Sequence, residues 1–319
     1  MDSKAKGRKL SANARTIFHR CADEALCLRA MKHPSEFTAT DWAALATSDV
    51  ARALSEDVGS GDLTAALVPA ERMAQARILA RESAVMCGAP WVEAACRAVS
   101  PEITWQWSVL EGQRCQANQV VLVLHGPARA LLTAERTVLN FLQLLSAVAS
   151  KTATFVDAVK GTRAAIVDTR KTIPGLRLAQ KYAVTVGGGV NHRIGLYDAV
   201  LIKENHIAAA GGVSAVLQRV RESAPQARFV EIEVETMDQL DEALNAGAGM
   251  LLLDNMDLPT LREAVRRNAG RAILEISGGV NLQTVRALAE TGVDRISIGT
   301  LTKDVQAIDF SMRFEEGLA

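Results

Sequence analysis

The sequence predicts an α/β protein in two parts, an α+β first domain followed by a parallel (β/α) barrel. The chain has 319 residues, of which 49% are hydrophobic and 23% charged, so it can bury a sizeable core. Before Lys151, strands and helices mix without regular alternation, which favours an α+β arrangement. After Lys151, short apolar strands alternate with helices, as is typical of a parallel sheet covered on both faces. A doubly wound sheet is the alternative that this pattern leaves open.

Changes of pattern divide the chain into three segments. Residues 1–40 are a basic N-terminal extension without sustained periodicity, and we assign them no role. Residues 41–150 form the first α/β domain. Residues 151–319 form the barrel domain, whose C-terminal segment we expect to pack back on the first domain. The patterns in the first domain predict a helix over 41–54 capped by Asp41, strands over 76–80 and 120–124, and a long amphipathic helix from 128 to about 149.

The second half contains short apolar runs whose spacing, about 20 to 34 residues, suits the strands of a (β/α) barrel. Helical patterns lie between these runs. The predicted strands cover residues 165–168, 199–202, 229–234, 250–253, 273–276 and 296–298, and the clearest helices cover 261–268 and 284–290.

Charge and cysteine content argue against several classes of partner and location. Lys plus Arg and Asp plus Glu each total 36, so the overall charge gives no reason to expect nucleic acid or an anionic membrane as a partner. The five cysteines are odd in number and lack zinc-ligand spacing, which favours a reducing compartment. No apolar run is long enough to span a membrane, and the basic start is not followed by a signal-peptide core. We therefore expect a soluble, cytoplasmic protein.

Polar side chains follow almost every predicted barrel strand. A barrel's active site is built at the carboxyl ends of its strands, so these groups are expected to meet at one mouth. Between Asp168 and His206, six fixed cations and two histidines stand against three acids, which predicts a positive cavity. For Arg177 and Lys181, at helical spacing, a solvated helix face is an equal alternative. The cations are Arg170, Lys171, Arg177, Lys181, Arg193 and Lys203, and the histidines are His192 and His206.

Two kinds of anion suit this cavity. Arginine binds planar carboxylates through paired donors, whereas lysine is a mobile charge suited to phosphate oxygens. Glycine-containing loops follow the last two predicted strands, where barrels commonly bind phosphate through backbone N–H groups. The triple glycine at 187–189 follows no strand and lacks the spacing of a dinucleotide-binding loop. The candidate phosphate residues are Ser277, Gly278, Gly279 and Gly299.

Glu233 and Asp254 end neighbouring predicted strands in this otherwise cationic mouth. Two carboxylates near bound phosphates are natural ligands for Mg²⁺, which prefers oxygen donors and retains waters. The alternative is that they only neutralise nearby lysines and arginines. We predict a magnesium site at this position.

Several motifs together resemble quinolinate phosphoribosyltransferase, and the resemblance covers residues 45 to 313. The central motifs are highly specific. They read DTRKTIPGLR at 168–177, KYAV at 181–184, GGGVNHR at 187–193, GLYD at 195–198 and LIKENH at 201–206. Supporting motifs are EDVGSGDLT at 56–64, RALLTAER at 129–136 with Asn140, LDNM at 253–256 and SGG at 277–279.

The resemblance implies an N-terminal α/β sandwich, an incomplete seven-stranded α/β barrel and a homodimer with active sites shared between subunits. It implies a pentosyltransferase that converts quinolinate and phosphoribosyl pyrophosphate, with Mg²⁺, into nicotinate mononucleotide, pyrophosphate and CO₂ in NAD biosynthesis. Catalytic roles would fall to Lys171, Glu233 and Asp254, the two acids also holding the metal. Quinolinate would be held by Arg136, Arg170, His192, Arg193 and Lys203, and the 5′-phosphate by Ser277, Gly278, Gly279 and Gly299.

Departures from the family pattern occur at Ala147, Gly249 and the pair Lys303 and Asp304, of which Lys303 could alter phosphate affinity. Two other functions compete with this interpretation. Lys203 at a strand end could be the amine of a Schiff-base aldolase. A noncatalytic anion-binding relative of the same fold is the second, but such proteins often lack the substrate residues, which are all present here.

Overall fold

The computed structural model describes residues 33–315, and the first part of this range is organised around a four-stranded antiparallel sheet. Its strands lie in the order β12 (Phe310–Phe314), β1 (Met73–Ala80), β5 (Val120–Pro127) and β3 (Thr104–Trp107). The last strand of the described range therefore pairs with the first. The elements of this part are α1 (Ala39–Asp57), β1 (Met73–Ala80), β2 (Ala84–Val85), α2 (Ala89–Val99), β3 (Thr104–Trp107), β4 (Arg114–Cys115), β5 (Val120–Pro127), α3 (Ala128–Ala158) and β12 (Phe310–Phe314), with short 3₁₀ turns at Pro34–Glu36 and Ala65–Leu67.

The predicted cap of the first helix is wrong by three residues. Thr38 is the N-cap, and its hydroxyl accepts a hydrogen bond from the Asp41 N–H. The Asp41 carboxylate accepts one in return from the Thr38 N–H at 3.0 Å. Asp41 therefore completes a capping box from within the first turn.

Helix α3 extends nine residues past its predicted end at Ala149, because its apolar face continues into the second part of the molecule. Leu131, Leu142 and Leu145 are fully buried against the first sheet. Phe155, in the last turns, belongs instead to the barrel core. One helix thus contributes to both cores and fixes the barrel relative to the first sheet.

The second part is a six-stranded parallel sheet. Its strands lie in the order β6 (Ala165–Val167), β11 (Arg295–Ser297), β10 (Ile273–Ile276), β9 (Met250–Leu253), β8 (Val230–Val234) and β7 (Val200–Ile202). A parallel bridge between Val167 and Val190 occupies a seventh position beyond β6. Within the described residues, β6 and β7 do not pair, so the barrel is incomplete. The elements are β6 (Ala165–Val167), α4 (Arg177–Val186), β7 (Val200–Ile202), α5 (Glu204–Ala210), α6 (Val213–Ser223), β8 (Val230–Val234), α7 (Met237–Asn245), β9 (Met250–Leu253), α8 (Leu258–Asn268), β10 (Ile273–Ile276), α9 (Val285–Ala289), β11 (Arg295–Ser297) and α10 (Thr300–Lys303).

These observations confirm the predicted fold class, α/β with a sheet domain followed by an incomplete barrel. The exact division at residues 40 and 150 stays a prediction, and most of the basic extension, residues 1–32, lies outside the described range. Cys87, Cys96 and Cys115 are buried free thiols, whereas the other two cysteines are also outside that range. From residue 33 to residue 315, no helix is both long and apolar enough to cross a membrane.

Candidate active site

A buried ion pair anchors the start of the barrel mouth. The Lys181 ammonium on α4 lies 2.6 Å from the carboxylate of Asp168, directly after β6, and both side chains are fully buried. Burial raises the pKa of Asp168 and lowers that of Lys181, while the pairing opposes both shifts. The Asp168 carboxylate also accepts hydrogen bonds from the Asn191 side chain and the His192 N–H, each at 2.8 Å. The sequence analysis predicted that Lys181 lines either the cavity or a solvated helix face. Lys181 does neither, because it is buried in an ion pair that connects α4 to the residue after β6.

Arg177 also makes hydrogen bonds to the protein itself. Its guanidinium donates to the Ile194 carbonyl at 2.9 Å and to the Thr172 hydroxyl at 3.1 Å. The Asp198 carboxylate accepts from the N–H groups of Ile194 and Gly195 at 2.8 and 2.9 Å. These contacts shape residues 192–199, which we call the substrate loop.

Arg170 and Arg193 form the positive part of the mouth. Arg193 donates from Nη1 to the Ala199 carbonyl at 3.2 Å, which directs its guanidinium. Burial lowers the pKa of Arg193, and the charge of Arg170 lowers it further. The Arg170 Nε is buried and has no hydrogen-bond partner among the described residues. Two partly desolvated cations with donors to spare are suited to an anion with two carboxylates.

His192 lies above a buried acidic cluster that the sequence did not reveal. Its Nδ1 accepts from the Arg193 N–H at 2.8 Å, so the ring proton is on Nε2 and is donated to Glu231 at 2.8 Å. Glu275 Oε1 lies 3.5 Å from the same Nε2, and Arg295 Nε lies 2.8 Å from the other Glu275 oxygen. Both ring nitrogens are thus engaged by the protein. The predicted role of His192 on quinolinate stays a prediction.

The environment of this cluster favours proton binding by its two carboxylates, those of Glu231 and Glu275. Burial raises the pKa of Glu231 to about 7, despite the opposing charges of Arg295 and Arg193. Burial raises the pKa of Glu275 to about 7 as well, and the charge of Glu231 adds to it. Burial lowers the pKa of His192, although Glu275 opposes this shift. Two carboxylates that share one guanidinium in a low dielectric hold a proton near neutral pH.

A second group of carboxylates lies at the carboxyl ends of β8 and β9. Oxygens of Glu233, Glu235 and Asp254 all lie within 4.8 Å of one another. The Lys203 ammonium, directly after β7, is 3.2 Å from Glu233 Oε2. Three converging oxygen donors fit Mg²⁺, and Glu235 is a candidate ligand that the sequence analysis did not select. Alternation along the strand could have identified it, because residues 231, 233 and 235 share one face.

The predicted phosphate loops lie beside these groups. Gly278 and Gly279 have φ angles of +92° and +61°, a region of backbone conformation that favours glycine. Both residues are exposed, so a ligand can approach their backbone. A Cβ at Gly278 would lie 3.4 Å from Asp254 Oδ1, so this loop adjoins the carboxylates. A Cβ at Gly299 would lie 2.9 Å from the Lys171 side chain. Lys171 therefore lies beside the second predicted phosphate loop, and its predicted catalytic role stays a prediction.

Arg136 lies apart from these contacts, on the exposed side of α3. It forms no hydrogen bond or ion pair with any residue that the structure describes, including its neighbour Glu135. The adjacent loop is fixed by Asp62, whose carboxylate accepts from the N–H groups of Thr64 and Ala65 at 2.9 and 2.8 Å. Asp62 therefore caps this loop.

Comparison with known proteins identifies relatives over most of the chain. Residues 62–146 match the family model for the N-terminal domain of quinolinate phosphoribosyl transferase, and residues 148–313 match the model for its C-terminal domain. The chain is 43% identical over 274 residues to nicotinate-nucleotide pyrophosphorylase [carboxylating] of Mycobacterium leprae, covering 84% of this chain and 96% of the relative. It is 39% identical over 287 residues to quinolinate phosphoribosyltransferase [decarboxylating] 1b of Nicotiana tabacum, covering 84% and 81%.

A solved structure of similar fold supports the same relationship. The nicotinate-nucleotide pyrophosphorylase of Francisella tularensis superposes with a TM-score of 0.84 at 38% identity, covering 89% of this chain and 99% of that one. The resemblance inferred from the motifs is thereby confirmed.

Proposed function

The chain belongs to the quinolinate phosphoribosyltransferase family, and on that premise we propose how its site carries out the family reaction. The protein transfers the phosphoribosyl group of phosphoribosyl pyrophosphate to quinolinate with decarboxylation, giving nicotinate mononucleotide in NAD biosynthesis. One observation carries the assignment of parts. The carboxyl ends of one parallel sheet carry a cationic half, with Arg170 and Lys171 after β6, and an acidic half, with Glu233 and Asp254 at the ends of β8 and β9.

Quinolinate binds in the cationic half. Its two carboxylates need paired donors, and the partly buried guanidinium groups of Arg170 and Arg193 supply them. The Asp168 and Lys181 pair and the Asp198 cap hold the substrate loop, so the donors are oriented before the substrate arrives. Such preorganisation lowers the entropic cost of bringing the ring nitrogen to the ribose.

Phosphoribosyl pyrophosphate binds in the other half. The exposed backbone of Gly278 and Gly279 receives the 5′-phosphate, and Lys171 beside Gly299 lies near the pyrophosphate. Glu233 and Asp254 bind the ribose hydroxyls and, with Glu235, hold Mg²⁺. Bound Mg²⁺ would neutralise pyrophosphate oxygens and so favour departure of the leaving group.

Positioning and fixed charge then suffice for catalysis without a protein nucleophile. The pyridine nitrogen attacks C1 of a ribose with oxocarbenium character, and the carboxylates of the site stabilise the positive charge that develops there. Loss of CO₂ from C2 leaves the electron pair of the broken bond on that carbon, where the adjacent positive ring nitrogen stabilises it, and a proton from water then completes nicotinate mononucleotide.

A Schiff-base aldolase fits the site less well. The nucleophilic lysine of such enzymes is desolvated or lies beside other cations. Lys203 is instead paired with a carboxylate, and its side chain is 53% exposed.

The working unit that we propose is a homodimer with shared sites. Arg136 is exposed and unpaired among the described residues, although the family pattern assigns it to quinolinate. Arg129 and Thr133 on α3 donate hydrogen bonds to the loop at residues 62–68. On this loop, the side chains of Leu63 and Leu67 are 88% and 84% exposed. Large exposed apolar side chains next to an unpaired arginine are suited to a subunit interface.

Mass detection of nicotinate mononucleotide tests the function. Purified protein is incubated with quinolinate, phosphoribosyl pyrophosphate and Mg²⁺, and product and CO₂ are measured. We expect equal amounts of both, and no product when nicotinate replaces quinolinate. Reduction by borohydride with a carbonyl substrate should trap nothing. Product from nicotinate at the same rate would contradict the proposal.

A further inference from the structure

The described chain begins with a short segment, residues 33–37, that precedes the region matched by the family models, which starts at residue 62. His33 caps the turn Pro34–Glu36, its Nδ1 accepting from the Ser35 N–H at 3.3 Å. Glu36 accepts in return from the His33 N–H at 3.3 Å. The side chain of His33 is buried although it lies near the end of the described range, so this turn is packed against the rest of the molecule.

The segment is joined to the barrel through Arg228, just before β8. The Arg228 guanidinium forms an ion pair with Glu36, and its second nitrogen donates to the Ser35 hydroxyl at 3.4 Å. The backbone N–H of Arg228 donates to the Asp198 carbonyl at 2.8 Å. Asp198 is the residue whose carboxylate closes the turn after Arg193. Arg228 therefore connects the segment to the end of the substrate loop.

Groups that hold the same loop act on the imidazole of His33. Burial lowers the pKa of His33, as do the charges of Arg228 and Lys181, whereas Asp198 and the His192 backbone raise it. Lys181 in turn donates to the His192 carbonyl at 3.1 Å. His33 thus lies among the groups that hold residues 192 and 198, the two ends of the turn that presents Arg193.

We propose that residues 33–37 position the substrate loop, with His33, Glu36 and Arg228 acting as positioning residues for the quinolinate carboxylates. This inference rests on the proposed function. The Asp168 and Lys181 pair holds the same loop independently, through hydrogen bonds to the backbone of His192. Loosening the segment should therefore lower the affinity for quinolinate without altering the phosphate loops.

A charge exchange across the Glu36 and Arg228 pair tests the proposal in the full-length protein. Both side chains are partly exposed, at 48% and 41%, so the single variants Glu36→Arg and Arg228→Glu should fold. We expect each to raise the quinolinate Kd and KM by about threefold to fivefold, the scale of an exposed ion pair. The KM for phosphoribosyl pyrophosphate should change by less than about twofold. The double variant, with the pair reversed, should recover wild-type affinity.

His33→Ala and Arg262→Glu complete the experiment. His33→Ala removes the buried contact and should raise the quinolinate Kd at least as much as either charge variant. Arg262, exposed on α8 outside the site, is the matched control and should change neither constant. Unchanged quinolinate affinity in the single variants, or an equal rise in both KM values, would overturn the proposal. Calorimetry separates the two claims, because binding of quinolinate without product formation would count against the proposed function alone.

Discussion

At the residue scale, the site depends on charges that the protein keeps partly desolvated. Arg170 and Arg193 are close enough for their charges to interact, and a buried nitrogen of Arg170 is unpaired among the described residues. Such an arrangement costs stability in the free protein, and a dianionic ligand relieves it. Discrimination between quinolinate and nicotinate follows, because a substrate lacking one carboxylate leaves a cation without a partner.

Arg193→Ala should lower kcat/KM for quinolinate by at least about 100-fold, since a charged hydrogen bond is worth roughly 3 kcal/mol. Arg170→Ala should behave similarly. Arg193→Lys keeps the charge but loses the paired donors, so its loss should be intermediate. Steady-state kinetics with each substrate varied would measure these effects. Equal wild-type turnover of nicotinate and quinolinate would show that these arginines do not select the second carboxylate.

Glu275 makes folding stability depend on pH in a defined direction. Its pKa is raised by burial to about 7, so the folded state binds the proton more tightly than the unfolded state does. The stability this provides is fully present below the ordinary glutamate range and is lost as pH rises through 7. Glu275→Gln cannot lose a proton. Between pH 4.5 and pH 8, wild type should therefore lose about 3 kcal/mol of unfolding free energy relative to this variant.

Urea unfolding of both proteins at several pH values measures this difference. Glu71→Gln, which changes an exposed acid, is the matched control and should follow the wild-type profile. Parallel pH profiles for wild type and Glu275→Gln would mean that Glu275 titrates normally in the folded protein.

At the element scale, the carboxyl ends of the strands determine where the candidate metal-binding residues lie. Glu233, Glu235 and Asp254 come together because β8 and β9 are parallel neighbours in register, with Val234 opposite Leu253. The carboxyl ends of parallel neighbours bring side chains distant in sequence to one edge.

Asp254→Asn should weaken the use of Mg²⁺ and phosphoribosyl pyrophosphate while sparing quinolinate binding. The amide keeps the side chain's shape but removes the negative charge that a cation needs. Glu235→Gln should shift the Mg²⁺ dependence in the same direction by a smaller factor. Titration of activity with Mg²⁺ and calorimetry with quinolinate would distinguish the effects, with the exposed Asp238→Asn as control. Lost quinolinate affinity with unchanged Mg²⁺ dependence would mean that Asp254 is misassigned.

Much of this element-scale organisation could be predicted from sequence. The barrel strands β9 and β10 begin and end where the apolar runs do, because buried parallel strands need continuous apolar side chains. Groups at or just after the carboxyl ends of strands were therefore found, including Glu233 and Asp254. Glu231 and Glu275 were missed because they lie within strands, where a charge is unexpected. The burial of Lys181 was missed because helical spacing does not reveal that Asp168 lies opposite it.

At the scale of the whole molecule, several elements and contacts join the two parts. Helix α3 runs from one core to the other, β12 returns from the barrel to pair with β1, and Lys151 pairs with Asp304 just after the barrel's last short helix. Arg136 is carried on α3 but forms no hydrogen bond or ion pair with the described residues of its own barrel. A rigid connection of this kind can present Arg136 to a neighbouring chain at a fixed position.

Mixing two inactive variants tests whether sites are shared between subunits. Arg136→Ala leaves the barrel residues intact, and Lys171→Ala leaves Arg136 intact. If Arg136 serves the partner's site, a mixed dimer has one site with an intact barrel and an intact Arg136, while its other site carries both defects. Random exchange at equal amounts makes about half of the dimers mixed, each with one good site of two, so activity should recover to roughly a quarter of wild type.

Subunit exchange is verified by native mass spectrometry of differently tagged chains, and each variant mixed with itself is the control. The exposed position of Arg136 allows a competing explanation, in which it is only a surface charge whose loss changes little. In that case the Arg136→Ala protein would be active alone. An inactive Arg136→Ala protein that exchanges but recovers nothing would mean that Arg136 acts within its own chain. Recovery near a quarter requires that the arginine of one subunit and the lysine of the other meet in a single site, because neither homodimer contains both.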